Sequence, residues 1–204
     1  MRRGRGLRGA VAGMMLLCSV AVWAGAPVES YYGHYDPAHL SAVEKHHLPQ
    51  AREKAARKDE QAAAYAWGDI EFILRRFPNH PQALLIATDL SLRLDSRKRV
   101  EKYMERAVSF DPRPAEPWII YGIFLHRWGD YAAAVEKYRE ALKRDAGNPE
   151  TWYNLGLAYF ELKRYDEALE AAHKAYAQGY PLPGLRNRLR RAGHWRPMHP
   201  QAGG

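Results

Sequence analysis

Residues 118–125 read Trp-Ile-Ile-Tyr-Gly-Ile-Phe-Leu, and residues 152–159 read Trp-Tyr-Asn-Leu-Gly-Leu-Ala-Tyr. The interval is 34 residues, and it recurs: Gly122 with Gly156, Tyr131 with Tyr165, Ala134 with Ala168, Ala141 with Ala175. A fixed period of this length marks an array of small helical units that bury their apolar faces on their neighbours. The aromatic at the head of each stretch fills space between the two helices of a unit. The glycines remove a side chain where two helices cross, and the alanines let neighbouring helices pack.

One period upstream, Leu84, Val100, Met104 and Ala107 hold the apolar slots, and Asp111-Pro112 closes the unit. Thr88 takes the glycine slot, so looser packing is expected there. A further period upstream, Ala66, Ile70, Ile73 and Phe77 form a helical stripe at spacings of three and four. The helix before it, around Pro49 to Arg57, carries Gln50 and Lys54 in the Trp and Gly slots, as terminal units often do. Prolines 78, 81, 112, 114 and 149 punctuate the units, since proline lacks a helix donor and suits a first turn.

The order Trp152, Leu155, Gly156, Tyr159, Ala168, Ala175 resembles the tetratricopeptide repeat over roughly residues 49–180. The chain is also similar, in its loops, to exported bacterial members of uncharacterised function. The resemblance implies an all-α, right-handed superhelix of about four helix pairs, at 49–78, 81–112, 115–146 and 149–178. Residues 181–195 then make a basic cap helix: Leu185, Leu189 and Ala192 share one face, and Arg186, Arg188, Arg190 and Arg191 cover the rest. Residues 196–204 carry no pattern and are expected to be mobile.

In this family the first helices of each pair line a concave face that takes a peptide or protein partner. By position, that face holds Leu85, Ile119 and Tyr153, then Asp89, Ile123 and Leu157, then Leu92, His126 and Phe160, and at its edge Arg127 and Glu161. Members that grip a terminal carboxylate use Lys, Arg and Asn at such places; here most are apolar, which suits an apolar or amphipathic segment instead. Residues 25–48, with Tyr31, Tyr32 and Tyr35, are aromatic and histidine-rich. Within them, 28–48 lie in the groove or pack beside the first pair.

The chain opens with Arg2, Arg3, Arg5 and Arg8, followed by an uncharged run from Gly9 to Ala24. A basic start, a short apolar run and a small-residue exit make a signal peptide, residues 1–24, cut after Ala24. The expectation is a periplasmic or secreted protein, the alternative an uncleaved inner-membrane anchor. Removal of those arginines lowers the formal charge from +8 to +4, and Cys18 leaves with them. The remainder has no cysteine, which excludes thiol catalysis and disulfides.

Other chemistry finds little support. His34, His39, His46 and His47 crowd one region, but adjacent His46 and His47 diverge on a helix, so no metal is expected. No G-x-S-x-G, H-E-x-x-H or phosphate-binding glycine loop is present, so neither an enzyme nor a cofactor is expected. Export argues against nucleic acid. Arg186 to Arg191 leave room for contact with anionic lipid, though charged caps also serve simply as solvated faces. The expected function is an adaptor binding through the concave face; the alternative is a structural element of an envelope assembly whose groove is self-filled by residues 28–48.

Overall fold

The computed structural model describes residues 28–33 and 35–197. The signal segment, His34 and residues 198–204 of the tail lie outside the described residues. Within them the chain is all-helical, with no strand. Helices α1 (Pro37–Ala42) and α2 (Leu48–Ala56) are joined by a π-helical turn, Val43–His47. There follow α3 (Glu60–Arg76), α4 (Pro81–Arg93), α5 (Arg97–Phe110), α6 (Glu116–Arg127), α7 (Tyr131–Leu142), α8 (Pro149–Glu161), α9 (Tyr165–Ala177) and α10 (Gly184–Arg191).

The helices pack in successive antiparallel neighbours, α2 on α3, α4 on α5, α6 on α7 and α8 on α9. The first helices also stack in a second layer, α2 on α4, α4 on α6, α6 on α8 and α8 on α10. The basic cap α10 thus takes the place that the first helix of a fifth pair would occupy. It is seated by Leu185 and Leu189, both fully buried, each contributing about 1.5–3 kcal/mol.

The period is visible in the backbone. Asp95, Gly129 and Lys163, each 34 residues from the next, all take positive φ at the turn within a pair. At each of these turns the following amide bonds a carbonyl five residues back: Ser96 to Ser91, Asp130 to Leu125, Arg164 to Tyr159. This closes the C-terminal carbonyls of the first helix. The starts of α3, α7 and α8 are capped by side chains, Asp59 accepting from the Ala62 amide, Asp130 from Ala133 and Asn148 from Thr151.

Both glycine slots are close crossings. A Cβ on Gly122 would stand 2.5–2.9 Å from the ring of Tyr138, which is fully buried. A Cβ on Gly156 would strike Leu185 of α10 and lie 3.3 Å from Ala168 O and Ala171 Cβ. Where Thr88 takes this slot, α4 and α5 approach less closely than the later pairs. Thr88 is nonetheless fully buried, its hydroxyl donating to Leu84 O at 3.0 Å.

The N-terminal segment departs from the sequence reading. Helix begins at Pro37, and Pro49 lies inside a helical run instead of opening it. Pro49 cannot donate to the carbonyl four residues back. The π turn just before it carries the ladder past this point, the Leu48 amide reaching Val43 O.

His80 caps α4 from a fully buried position. Its Nδ1 accepts from the Ala83 amide at 3.4 Å, and its Nε2 finds no hydrogen-bond partner among the described residues. Burial lowers its pKa from 6.5 to about 4. The unfolded chain therefore takes up this proton first as the pH falls. Stability is lost from about pH 6.5 downward and levels off near the folded value. His80→Asn keeps a capping side chain. It is expected to narrow the stability gap between neutral pH and pH 4.5 by ~2–3 kcal/mol, read by urea unfolding at the two pH values.

Candidate functional site

The eleven residues assigned to the concave face fall on α4, α6 and α8, which form one continuous layer. They are not equally available. Leu85 and Leu92 are 39% and 37% exposed. Ile123, His126, Leu157, Phe160 and Glu161 are half-buried, and Asp89 and Arg127 face solvent. Ile119 and Tyr153 are buried. Tyr153 belongs to the cap joint rather than to an open face. Its ring packs on Tyr180 at 4.4 Å, and a Cβ on Gly184 would stand 2.5 Å from its hydroxyl.

The charges of this face are matched within the protein. Asp89 on α4 pairs with Arg127 on α6, and Glu161 on α8 pairs with Arg188 on α10. Arg93, at the same edge, donates to the carbonyls of Arg57 at 2.7 Å and Ala55, closing the C-terminus of α2. His126 lies against the Tyr131 ring at 5.0 Å, and burial lowers its pKa. The aliphatic side chains of this face that are not buried are Leu85, Leu92, Ile123 and Leu157. Phe160 flanks them, held edge-on by Tyr165 at 5.5 Å.

Residues 28–33 do not cover this face. Leu85 and Leu92 remain open, and the segment is bonded to the turns between pairs. The Glu29 amide donates to Arg76 O at 2.8 Å, and the Glu29 carboxylate pairs with the Arg76 guanidinium and with His39 Nδ1 at 2.9 Å. Ser30 donates to Asp111 Oδ2 and accepts from Asn79, each at 3.0 Å. The Tyr31 amide donates to Asn79 Oδ1 at 2.9 Å, and the Tyr32 hydroxyl to Glu116 at 2.6 Å. Glu29, Ser30, Arg76, Asn79 and Asp111 are all buried. The aromatic content left two places open for this segment, the groove or the side of the first pair. The polar groups decide its course: buried Asn79 is hydrogen-bonded by this segment's Tyr31 amide and Ser30 hydroxyl, and buried Asp111, which also holds Arg113, accepts from Ser30. Of the remaining histidines of this region, His47 packs on Phe72 at 4.0 Å and His46 is exposed. Among the described residues no three His, Cys, Asp or Glu side chains converge as metal ligands.

A second depression lies between α7 and α9, floored by Trp152, Leu155 and Tyr159 and about 500 Å³ in volume. Sequence reasoning assigned these residues to the repeat core and did not find it. Arg139 and Lys143 stand on one wall, and Glu167 and Glu170 on the other.

With this geometry in place, comparison with known proteins defines the class. A family model described as TPR repeat matches residues 125–163, and one described as Tetratricopeptide repeat matches residues 149–178. Residues 125–178 match the tetratricopeptide repeat, a fold that serves typically as a non-enzymatic scaffold for protein–protein interaction. The chain is 37% identical over 70 residues to TPR repeat-containing protein MJ1428 of Methanocaldococcus jannaschii, covering 34% of this chain and 12% of that protein. It is 30% identical over 101 residues to Protein O-mannosyl-transferase TMTC3 of Homo sapiens, covering 49% of this chain and 11% of that protein. The chain thus spans about a tenth of the length of these curated relatives.

Among solved structures, a crystal structure of MamA protein superposes with a TM-score of 0.55 at 17% identity, covering 75% of this chain and 84% of that one. The crystal structure of YrrB, titled a TPR protein with an unusual peptide-binding site, superposes with a TM-score of 0.50 at 21% identity, covering 65% and 68%. At these identities both likenesses concern the fold alone.

Proposed function

We propose that this protein is a non-enzymatic adaptor that binds a peptide or protein segment along the aliphatic strip of its concave face. The observation that carries the reading is the pairing of exposed Leu85 and Leu92 with internally matched charges, Asp89 with Arg127 and Glu161 with Arg188. Such a face gains by covering its apolar side chains, and its Asp89, Arg127 and Glu161 charges are already paired within the protein. The occupant that fits is an apolar or amphipathic segment, and the reading involves no cofactor, metal or nucleic acid. The four arginines and the uncharged apolar run within residues 1–24 support export, with action in the periplasm or after secretion. N-terminal sequencing of the envelope-fraction protein is expected to begin near Gly25; an intact Met1 on cytosolic protein would contradict this.

Photo-crosslinking tests the groove. A crosslinker at Leu85 is expected to capture a discrete partner that one at Tyr65, on the exposed face of α3, does not capture. Leu92→Ser is expected to weaken that capture by roughly tenfold or more, each buried aliphatic being worth about 1.5–3 kcal/mol. Helix content should stay unchanged, because Leu92 is not part of the core. Equal capture from Tyr65 and Leu85 would remove the groove from the account.

A further inference from the structure

The positive charge of this protein is not spread over the array. Residues 25–170 carry 21 basic and 23 acidic side chains, whereas residues 171–204 carry six basic and no acidic ones. Glu170 is the last carboxylate side chain in the sequence. The described part of this basic end is built on α10. Leu185 and Leu189 seat the helix, leaving Arg190 and Arg191 exposed, with Arg196 exposed just beyond it. Of its five arginines only Arg188 forms an ion pair among the described residues, with Glu161.

Two of the other arginines lie beside aromatic rings. The Arg186 guanidinium lies 5.5 Å from the Tyr176 ring and that of Arg190 lies 5.9 Å from Trp195. Trp195 in turn meets Tyr176 edge-on at 6.0 Å. The Tyr176 hydroxyl accepts from the Arg186 amide and donates to Leu182 O, both at 3.1 Å, which ties in Leu182, the most exposed aliphatic side chain of this end. Among the described residues, α10 packs on α8 and α9 and carries no further helix on its outer side.

We infer that this end of the array docks on an anionic lipid surface, with Arg186, Arg190 and Arg191 facing the headgroups and Leu182, Tyr176 and Trp195 at the interface. Unpaired arginines supply attraction to negative headgroups, and Trp and Tyr favour the boundary between headgroups and acyl chains. An acidic protein would also answer the charge, but the aromatic and aliphatic rim favours the lipid boundary. The contact is separate from the concave strip, so a partner and a membrane can be held together.

Flotation of the mature chain, from Gly25 onward, with vesicles tests this, using phosphatidylcholine alone or with one third phosphatidylglycerol, at low and high salt. The expected result is a phosphatidylglycerol-dependent, salt-sensitive partition that the triple change Arg186→Gln, Arg190→Gln, Arg191→Gln lowers roughly a hundredfold, about fivefold per arginine. Both proteins begin at Gly25, so the basic, apolar stretch of residues 1–24 adds no vesicle affinity of its own. The corresponding triple change to Lys preserves charge and is expected to retain binding, which separates loss of contact from loss of fold. Unchanged partition of the Gln protein overturns the inference. So does binding to soluble poly-glutamate without binding to the vesicles, which assigns the patch to an acidic protein.

Discussion

Glu29→Ala is expected to destabilise the protein by about 3–5 kcal/mol, the usual cost of removing one partner of a buried ion pair. Glu29 and Arg76 have side chains only 9% and 4% exposed and are paired with each other. Glu29 also accepts from the Asp36 amide at 2.8 Å and meets His39, so its carboxylate ties together the N-terminal segment, the start of α1 and the end of α3. Urea unfolding gives the magnitude. Hydrogen exchange should show early opening of the turn at residues 77–80, because Ser30 and Tyr31 satisfy Asn79 there. A loss below 1 kcal/mol would mean that the segment only rests on the array.

Gly122→Leu is expected to cost about 1–3 kcal/mol or more through overpacking, corresponding to roughly 2–4 °C of melting temperature per kcal/mol. A Cβ alone would already collide with the Tyr138 ring, and that ring is fully buried between α6 and α7. Gly68→Leu is the control. It lies in α3 with nothing within 4 Å of its Cβ, and a better helix former there should leave stability equal or slightly higher. Gly156→Leu should behave differently from Gly122→Leu. The first atom it meets is the end of Leu185, so part of its cost should appear as release of α10 before the array unfolds. Equal melting of Gly122→Leu and the unmodified protein would show that α6 and α7 do not cross at this residue.

The period was legible because each unit repeats the same packing problem. Trp118 and Trp152, Gly122 and Gly156, and the alanines of the second helices record a local geometry that neighbours 34 residues apart share. The turn positions Asp95, Gly129 and Lys163 obey the same period but differ in residue type, so composition hid a conformation that the backbone reveals. The eleven concave-face residues could be placed on three helices by counting alone. Their availability could not, since that depends on what later segments cover. Tyr180 and α10 bury Tyr153, and Arg188 reaches Glu161 across more than twenty residues of sequence.

Sequence by itself determined the helix pairs, their glycine crossings and the face on which an apolar strip must lie, because these follow from periodicity within and between adjacent units. Tertiary structure alone decided where the aromatic N-terminal segment goes. Its tyrosines left the groove and the side of the first pair both open, yet its course is set by buried polar groups at turns up to 81 residues away, Asn79 and Asp111, with exposed Glu116 at the start of α6 as a further anchor. Such pairings have no period to betray them. They arise because a turn buried between stacked helices must find donors and acceptors, and the stack brings this segment within reach.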